Sequence, residues 1–343
     1  LNDSDNPDDY DTKIAYTGKD DEILRKVEAG NVSLPLSGSL ITGSQSLFGI
    51  KTEMQFGRLT VTSVFSQQQG QSESIDVQGG GVENEFEISA DNYESNKHFF
   101  LSHYFRDVYD QALKNMPVVN SGVNISRIEV WVTNKTSNFT DSRNIVAFLD
   151  LAEGTKTGGT NIYNTQFVNY KGPGRYPSNV LNDLYENLKN NYPGIRDIGQ
   201  VTSVLSPLKA YGFEGGQDYE KIENARMLTP EEYTVNTKLG YISLNQELSS
   251  DEILAVAYEY TLGGQVYKVG EFSSDLNKTS NSDAPSLILK LLKGTDQTPS
   301  LPTWDLMMKN IYSIGSSHLN SADFHLDVLY QNDKAGNEIN YIP

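Results

Sequence analysis

Four histidines, 45 acidic side chains and no cysteine bound the chemistry that this chain can attempt. Without cysteine there is no thiolate nucleophile, no disulfide scaffold and no cysteine-ligated zinc or iron–sulfur centre. The histidines are poorly spaced for a metal. His98 and His103 lie five apart in a segment of helical pattern, off the i, i+4 separation that sets two imidazoles over one ion. His325 stands between Asp323 and Asp327 on a strand pattern, where a period of two puts all three on one face; that reads as a solvated polar face before it reads as a metal site. Asp3, Asp5, Asp8, Asp9 and Asp11 imitate a calcium loop, but the glycine at the sixth position and the closing glutamate at the twelfth are missing.

Glu214, Asp218 and Glu220 lie close in sequence, yet a glycosidase pair is defined by a carboxylate separation in space that spacing does not supply. There is no G-x-S-x-G, no phosphate-binding loop and no H-E-x-x-H. The glycine runs QGGGVEN and EGGQD lack the lysine or the strand–turn–helix setting that cradles a phosphate, so they read as turns. The sequence therefore nominates no catalytic, cofactor-binding or metal residue. The expectation is a protein that is not an enzyme, with no cofactor and no small-molecule substrate.

The chain has 343 residues, 37% of them hydrophobic, and a formal net charge of −18. Twenty Tyr, 13 Phe and 2 Trp supply enough large side chains for a sizeable core, and the length suits about two domains. So acidic a chain repels nucleic acid and anionic lipid surfaces. No run of about 18 apolar residues and no signal peptide is visible. A chain that starts at Leu1 rather than Met reads as processed or excised.

Residues 1–27 read as an acidic leader. Beyond it the pattern is that of strands: Val32, Leu34 and Leu36 share a face, as do Ile50, Thr52, Met54 and Phe56, and then Leu59, Val61, Ser63 and Phe65, with Gly57-Arg58 at the turn. From pattern alone an ordinary sandwich hairpin is favoured, with a membrane β-barrel hairpin as the alternative. A glycine-rich bridge ends this unit near residue 84. From 85 to 343 an α+β, β-rich module of mainly antiparallel strands with a few helices is expected, with 195–228 as the place where two lobes would meet. Helices are expected at 96–116, with a Phe100, Tyr104, Val108, Ala112 stripe, at 178–192 capped by Ser178, and at 200–208. Strands are expected at 126–134, 143–151 and 323–331, two more within 231–248, and a hairpin at 253–272 about Gly263-Gly264. The stretch 286–294 reads as a helix or a buried strand. Trp131 reads as sheet packing rather than a ligand platform.

Several segments together resemble one family. GNVSLPLSGSLITGSQSLFGIKTEMQFGRLTVTSVFSQQQGQ, NKHFFLSHYFRDVYDQAL, SRIEVWVTN with RNIVAFLDL, EEYTVNTKLGYISLNQELSSDEILAVAYEYTLGGQVYKVGEF and NIYSIGSSHLNSADFHLDVLYQ run in order from about residue 28 to the end. They are similar to the SprA (Sov) gliding-motility and secretion proteins of Bacteroidetes. The resemblance implies a region of the outer-membrane translocon of the type IX secretion system, a very large single-chain β-barrel. Residues 28–70 would be strands leading into a soluble module that caps or lines the pore.

The implied partners are secreted cargo proteins and other secretion-system subunits. The implied location is the cell outer membrane: a short turn at Gly57-Arg58 would be periplasmic and the following module extracellular, with the periplasmic face left open. The alternative reading is a cell-surface glycan- or protein-binding module. A glycan partner belongs to that alternative alone.

Overall fold

The computed structural model describes residues 14–17, 23–35, 44–56, 59–66, 86–136, 139, 142–156, 159–172, 174–276, 284–315, 324–331 and 338–339. The Gly57-Arg58 turn and the glycine-rich bridge fall outside the described residues, as do residues 1–13 and 18–22 of the expected leader; its remaining residues include a strand at Ile14–Thr17 and the start of another at Leu24.

The first unit is a four-stranded antiparallel meander of β1 (Ile14–Thr17), β2 (Leu24–Pro35), β3 (Ser44–Phe56) and β4 (Leu59–Ser66). Its register follows the alternation in the sequence. Met54 lies opposite Val61 and Phe56 opposite Leu59, while Glu28 lies opposite Lys51 and Lys26 opposite Glu53. Apolar residues thus gather on one face and charged residues on the other.

The second unit is built on a small closed barrel. β6 (Asn124–Val132), β7 (Arg143–Phe148), β10 (Tyr219–Met227), β13 (Leu254–Leu262) and β15 (Leu287–Lys293) close in the order β6-β13-β15-β7-β10-β6. All pairs are antiparallel except β7 with β15. Closure depends on β10. Tyr219–Ile222 pair with β7, the register breaks between Ile222 and Ala225, and Arg226 and Met227 then cross to β6. Asn224 sits in this break with φ +52, a left-handed backbone that Asn tolerates, and such irregularities bend a strand sharply enough to turn a barrel corner.

A five-stranded lumen is narrow. Ala147, Ala225, Ala255 and Ala257 leave room in it for Trp131, whose ring is 1% exposed among Ile145, Ile222, Leu287, Leu289 and Leu291. Trp131 is therefore sheet packing, as its sequence context suggested. The run 287–293 is a strand buried on both faces, because the barrel interior takes Leu287, Leu289 and Leu291 while Ile288 and Lys290 meet outer layers.

Two layers cover the barrel. Over β6 and β13 lie α1 (His103–Leu113) and a three-stranded sheet of β5 (His98–Phe100), β12 (Tyr241–Leu244) and β11 (Tyr233–Asn236). Over β7 and β15 lie α2 (Leu184–Asn191), α3 (Val201–Leu205) and 3-10 turns at Pro193–Arg196 and Ser206–Tyr211. The hairpin about Gly263-Gly264 forms as expected, with β14 (Gln265–Val269) on the second half of β13. Thr155–Lys156 (β8) and Gly159–Thr160 (β9) form a minimal hairpin. The chain is thus α+β and β-rich.

Three expected elements differ. The 96–116 helix is shorter, because His98–Phe100 pair with Ser243–Tyr241 as β5, and aromatic residues favour that half-buried extended site. Of the expected stripe Ala112 is buried in α1 and Phe100 in β5, while His103 and Phe105 take the buried positions expected for Tyr104 and Val108. The 178–192 helix starts only at Leu184. Asn182 spends its side chain on the Asp150 and Glu153 carbonyls, so residues 178–183 are held as a turn, and Asp183 rather than Ser178 precedes the helix. At 323–331 only Tyr330–Gln331 (β16) pairs, with Glu338–Ile339 (β17), and Phe324 to Tyr330 are exposed. A short helix, α4 (Thr303–Leu306), packs near β15.

One bidentate ion pair ties the helical layer to the barrel. The Arg196 guanidinium donates to both oxygens of Glu271 at 2.6 Å, and Glu271 also accepts from Tyr185 Oη at 2.8 Å and from Ile288 N at 2.9 Å. A lysine there keeps the charge but loses the fork. Arg196→Lys is expected to lower stability by about 1–3 kcal/mol, read as a shifted urea midpoint at unchanged slope.

Candidate functional site

Three places in the molecule gather polar, charged or exposed aromatic groups, and each is built from residues far apart in sequence.

The most buried is a charge cluster between the barrel and its two covers. Lys290, on β15, is 0% exposed, and Glu153, just after β7, is 1% exposed. Lys290 Nζ lies 2.7 Å from Glu153 Oε1 and also donates to the Leu149 carbonyl. His103, the first residue of α1, places Nδ1 2.9 Å from the same oxygen, out of line for a well-formed hydrogen bond, and Nε2 2.9 Å from the Pro302 carbonyl. Burial drives Glu153 towards its neutral form, but the charge of Lys290 and then His103 outweigh it, and its pKa is held at about 2. Asp150 next to it is moved the other way, to about 6, because burial dominates over the two bonds it accepts from Tyr163 N at 2.7 Å and Asn164 N at 2.8 Å. A group this enclosed meets no substrate; what it can do is fix α1 and the 149–164 loop onto the barrel.

The second is an aromatic cleft of about 220 Å³ at the β14 edge, lined by Tyr176, Tyr267, Gly172, Gly174, Ser178 and Leu181 among others. Tyr104, Tyr176 and Tyr267 follow one another edge to face at 5.6 Å, and Tyr260 stacks on Tyr267 at 5.1 Å. The loop is pinned by Tyr260 Oη donating to the Pro177 carbonyl at 3.0 Å.

The third is the sheet of β1 to β4. Its apolar face is open: Tyr16 is 50% exposed, Ile50 48% and Phe56 50%. On the other face Glu28 is only 5% exposed, 2.9 Å from Lys26 and 4.0 Å from Lys51, while Lys51 also reaches Glu53 at 3.1 Å. Hydrogen bonding to Glu28 raises the Lys26 pKa against burial, with Glu53 and Asp251 adding to the field. This is the reverse of an ordinary water-soluble sheet, which covers its apolar face and shows its charges.

The residues weighed at the sequence level scatter. His98 bonds Glu94 at 2.9 Å and Ser243 at 2.7 Å, away from the buried cluster that holds His103. His325 and Asp327 are exposed, and Asp323 lies outside the described residues. Asp218 is buried, accepting from Glu214 N and Asn164 Nδ2, whereas Glu220 accepts from Thr295, so the three carboxylates do not converge on one cleft. Among the described residues no group of three metal-ligating side chains converges. Sequence reading missed the Lys290 cluster; its one signal is a lone lysine inside the apolar run SLILKLL.

Among the described residues no helix is long and apolar enough to cross a membrane. No curated protein matches the chain. Residues 10–251 match the family model SprA_N, described as a motility related/secretion protein. That span takes in the reversed sheet, the barrel strands up to β10 and the sheet of β5, β11 and β12, so the chain belongs to the SprA_N family of motility-related secretion proteins.

Proposed function

We propose that the chain is a non-enzymatic region of an outer-membrane protein-export translocon of the type IX kind, serving gliding motility and secretion in Bacteroidetes. In this reading the sheet of β1 to β4 is a piece of the barrel wall, and the module from residue 86 onward caps or lines the pore.

The observation that carries it is the reversed sheet. An apolar face that lies half exposed beside a charged face holding a nearly buried Glu28 suits a wall with lipid outside and a polar lumen inside. The two central strands are long enough: β2 has 12 residues and β3 has 13, against the roughly 9–11 that a tilted strand needs to cross a bilayer. Neither β1 nor β4 has a further strand on its outer edge among the described residues, as expected for a fragment of a larger sheet. The acidity of the chain suits a surface past which protein must move without adhering.

The partners in this reading are secreted cargo and other subunits of the machine, and the module faces the cell exterior. A photo-cross-linking residue at Lys156 or Tyr163, both exposed, tests it in intact cells. Cross-links to cargo stalled in export are expected, together with cleavage of residues 150–175 by added protease. Protection of that stretch in intact cells would contradict the exterior placement, and no cargo adduct from anywhere on the module would contradict its place at the pore.

A further inference from the structure

The tyrosine cleft beside β14 is formed in advance of any ligand. Its loop is fixed by Tyr260 Oη on the Pro177 carbonyl, by Lys171 N on the Leu181 carbonyl and by Asn179 N on the Lys268 carbonyl. Gly172 has φ +34, and a side chain there would meet the Tyr170 ring at 3.0 Å, so backbone rather than side chain forms that rim. At about 220 Å³ the cleft is smaller than the roughly 300–1,000 Å³ that encloses a drug-sized ligand, which leaves room for one ring.

Tyr176, which lines the cleft, and Arg175, next to it in sequence, carry uncommitted hydrogen-bond donors. Among the described residues Arg175 forms no ion pair or hydrogen bond, and its guanidinium carbon stands 5.8 Å from the centres of both the Tyr104 and Tyr176 rings. The Tyr176 hydroxyl likewise has no hydrogen-bond partner among the described residues. By contrast, the neighbouring cations Lys171 and Lys268 are paired with Glu186 and Asp275. Arg175 is thus the cation beside the cleft that has no carboxylate partner among the described residues, and its planar fork suits a carboxylate.

The backbone argues against an added peptide strand. Asn179 occupies the β14 edge: its Nδ2 donates to the Gly270 carbonyl at 3.0 Å and its Oδ1 accepts from Gly270 N at 2.8 Å, beyond its own N–H on Lys268. The edge from the Lys268 carbonyl to Gly270 is thus closed to an added peptide strand. What is offered is ring faces, hydroxyls and one cation. A pyranose bearing a carboxylate matches them, with its C–H face on a tyrosine ring, its hydroxyls on Tyr176 Oη and Ser178, and its acid on the guanidinium.

We propose that this cleft binds an acidic saccharide, seating one uronate ring on Tyr176 and Tyr267 with its carboxylate on Arg175. The inference is independent of the membrane-wall reading and stands or falls separately from it.

The test is titration calorimetry of the full chain with an oligogalacturonate, the matching neutral oligogalactoside and a proline-rich peptide. Saturable binding of the uronate is expected, roughly tenfold or more tighter than the neutral sugar, with no binding of the peptide. Arg175→Gln should erase the preference for the acid, and Tyr176→Ala should abolish binding of both sugars at an unchanged melting temperature. Should Tyr176→Ala unfold the protein, Tyr176→Phe keeps the ring and should weaken binding only modestly, while Arg175→Gln still removes the acid preference. Absence of saturable uronate binding, equal affinity for acid and neutral sugar, indifference to Arg175→Gln, or binding of the peptide in their place would each overturn the proposal.

Discussion

Glu153→Gln is expected to destabilise the module by about 3–5 kcal/mol, the loss that follows when a buried ion pair loses one partner. The substitution keeps the shape of the side chain and removes only its charge, leaving the Lys290 ammonium enclosed with the Leu149 carbonyl and a neutral amide. Replacing both partners, as Glu153→Leu with Lys290→Met, should recover most of that loss, because the Lys290 ammonium is then no longer stranded.

The pH dependence follows from the sign of the shift. Glu153 ionises in the folded protein at about 2, below its ordinary 4.5, so its contribution is complete above pH 4.5 and is lost as pH falls through about 2. Asp150 runs the other way. Its folded pKa of about 6 exceeds its ordinary 3.8, so its contribution is present below pH 3.8 and is lost as pH rises through about 6. Unfolding free energies measured from pH 2 to 7 should therefore lose, in Glu153→Gln, the rise between pH 2 and 4.5 while keeping the decline towards pH 6. A loss below about 1 kcal/mol with an unchanged low-pH slope would mean that the cluster does not hold the layers together.

Trp131→Ala is expected to cost about 3–5 kcal/mol, towards the upper end for core truncations. The reason is local geometry. The lumen around the indole is lined by Ala147, Ala225, Ala255 and Ala257, which have no longer side chain to swing into the gap, and the closed ladder of five strands resists collapse. The change also leaves Glu129 Oε2 without the indole N–H 3.3 Å away, although Ser273 N still donates to it. Circular dichroism in urea gives the loss directly. Trp131→Phe should fall well short of it, and a loss of under about 1 kcal/mol for the alanine variant would contradict a filled lumen.

Local signals in the sequence were sufficient where the physics is local. Gly263-Gly264 between two alternating runs marks β13 and β14, and the alternation from Ile50 to Phe65 marks β3, β4 and their register. They misled where tertiary contacts override pattern: His98–Phe100 carry a helical spacing but pair with β12, and Asn182 delays α2 by bonding a distant loop. The parallel pair of β7 with β15 has no local signal at all, since its strands lie about 140 residues apart and each reads merely as apolar. The same distance hides the sites. His103, Glu153 and Lys290 meet only because α1, the turn after β7 and the middle of β15 converge, and Tyr176 reaches Tyr267 only across the β14 edge.

The reversed sheet is different in kind. Its alternation was legible, but which face is open is a property of what surrounds it. The absence of cysteine from these 343 residues makes that question directly measurable, because no native thiol of this region competes with an introduced one. Single cysteines at Ile50, Phe56, Lys51 and Glu53, placed in the membrane-embedded protein, can be labelled with a nitroxide and probed for collision with dissolved oxygen and with a polar nickel chelate. Positions 50 and 56 are expected to be accessible to oxygen and shielded from the chelate, with positions 51 and 53 showing the opposite. Equal access of the chelate to all four, or shielding of 51 and 53 instead of 50 and 56, would contradict a barrel wall with its apolar face in lipid.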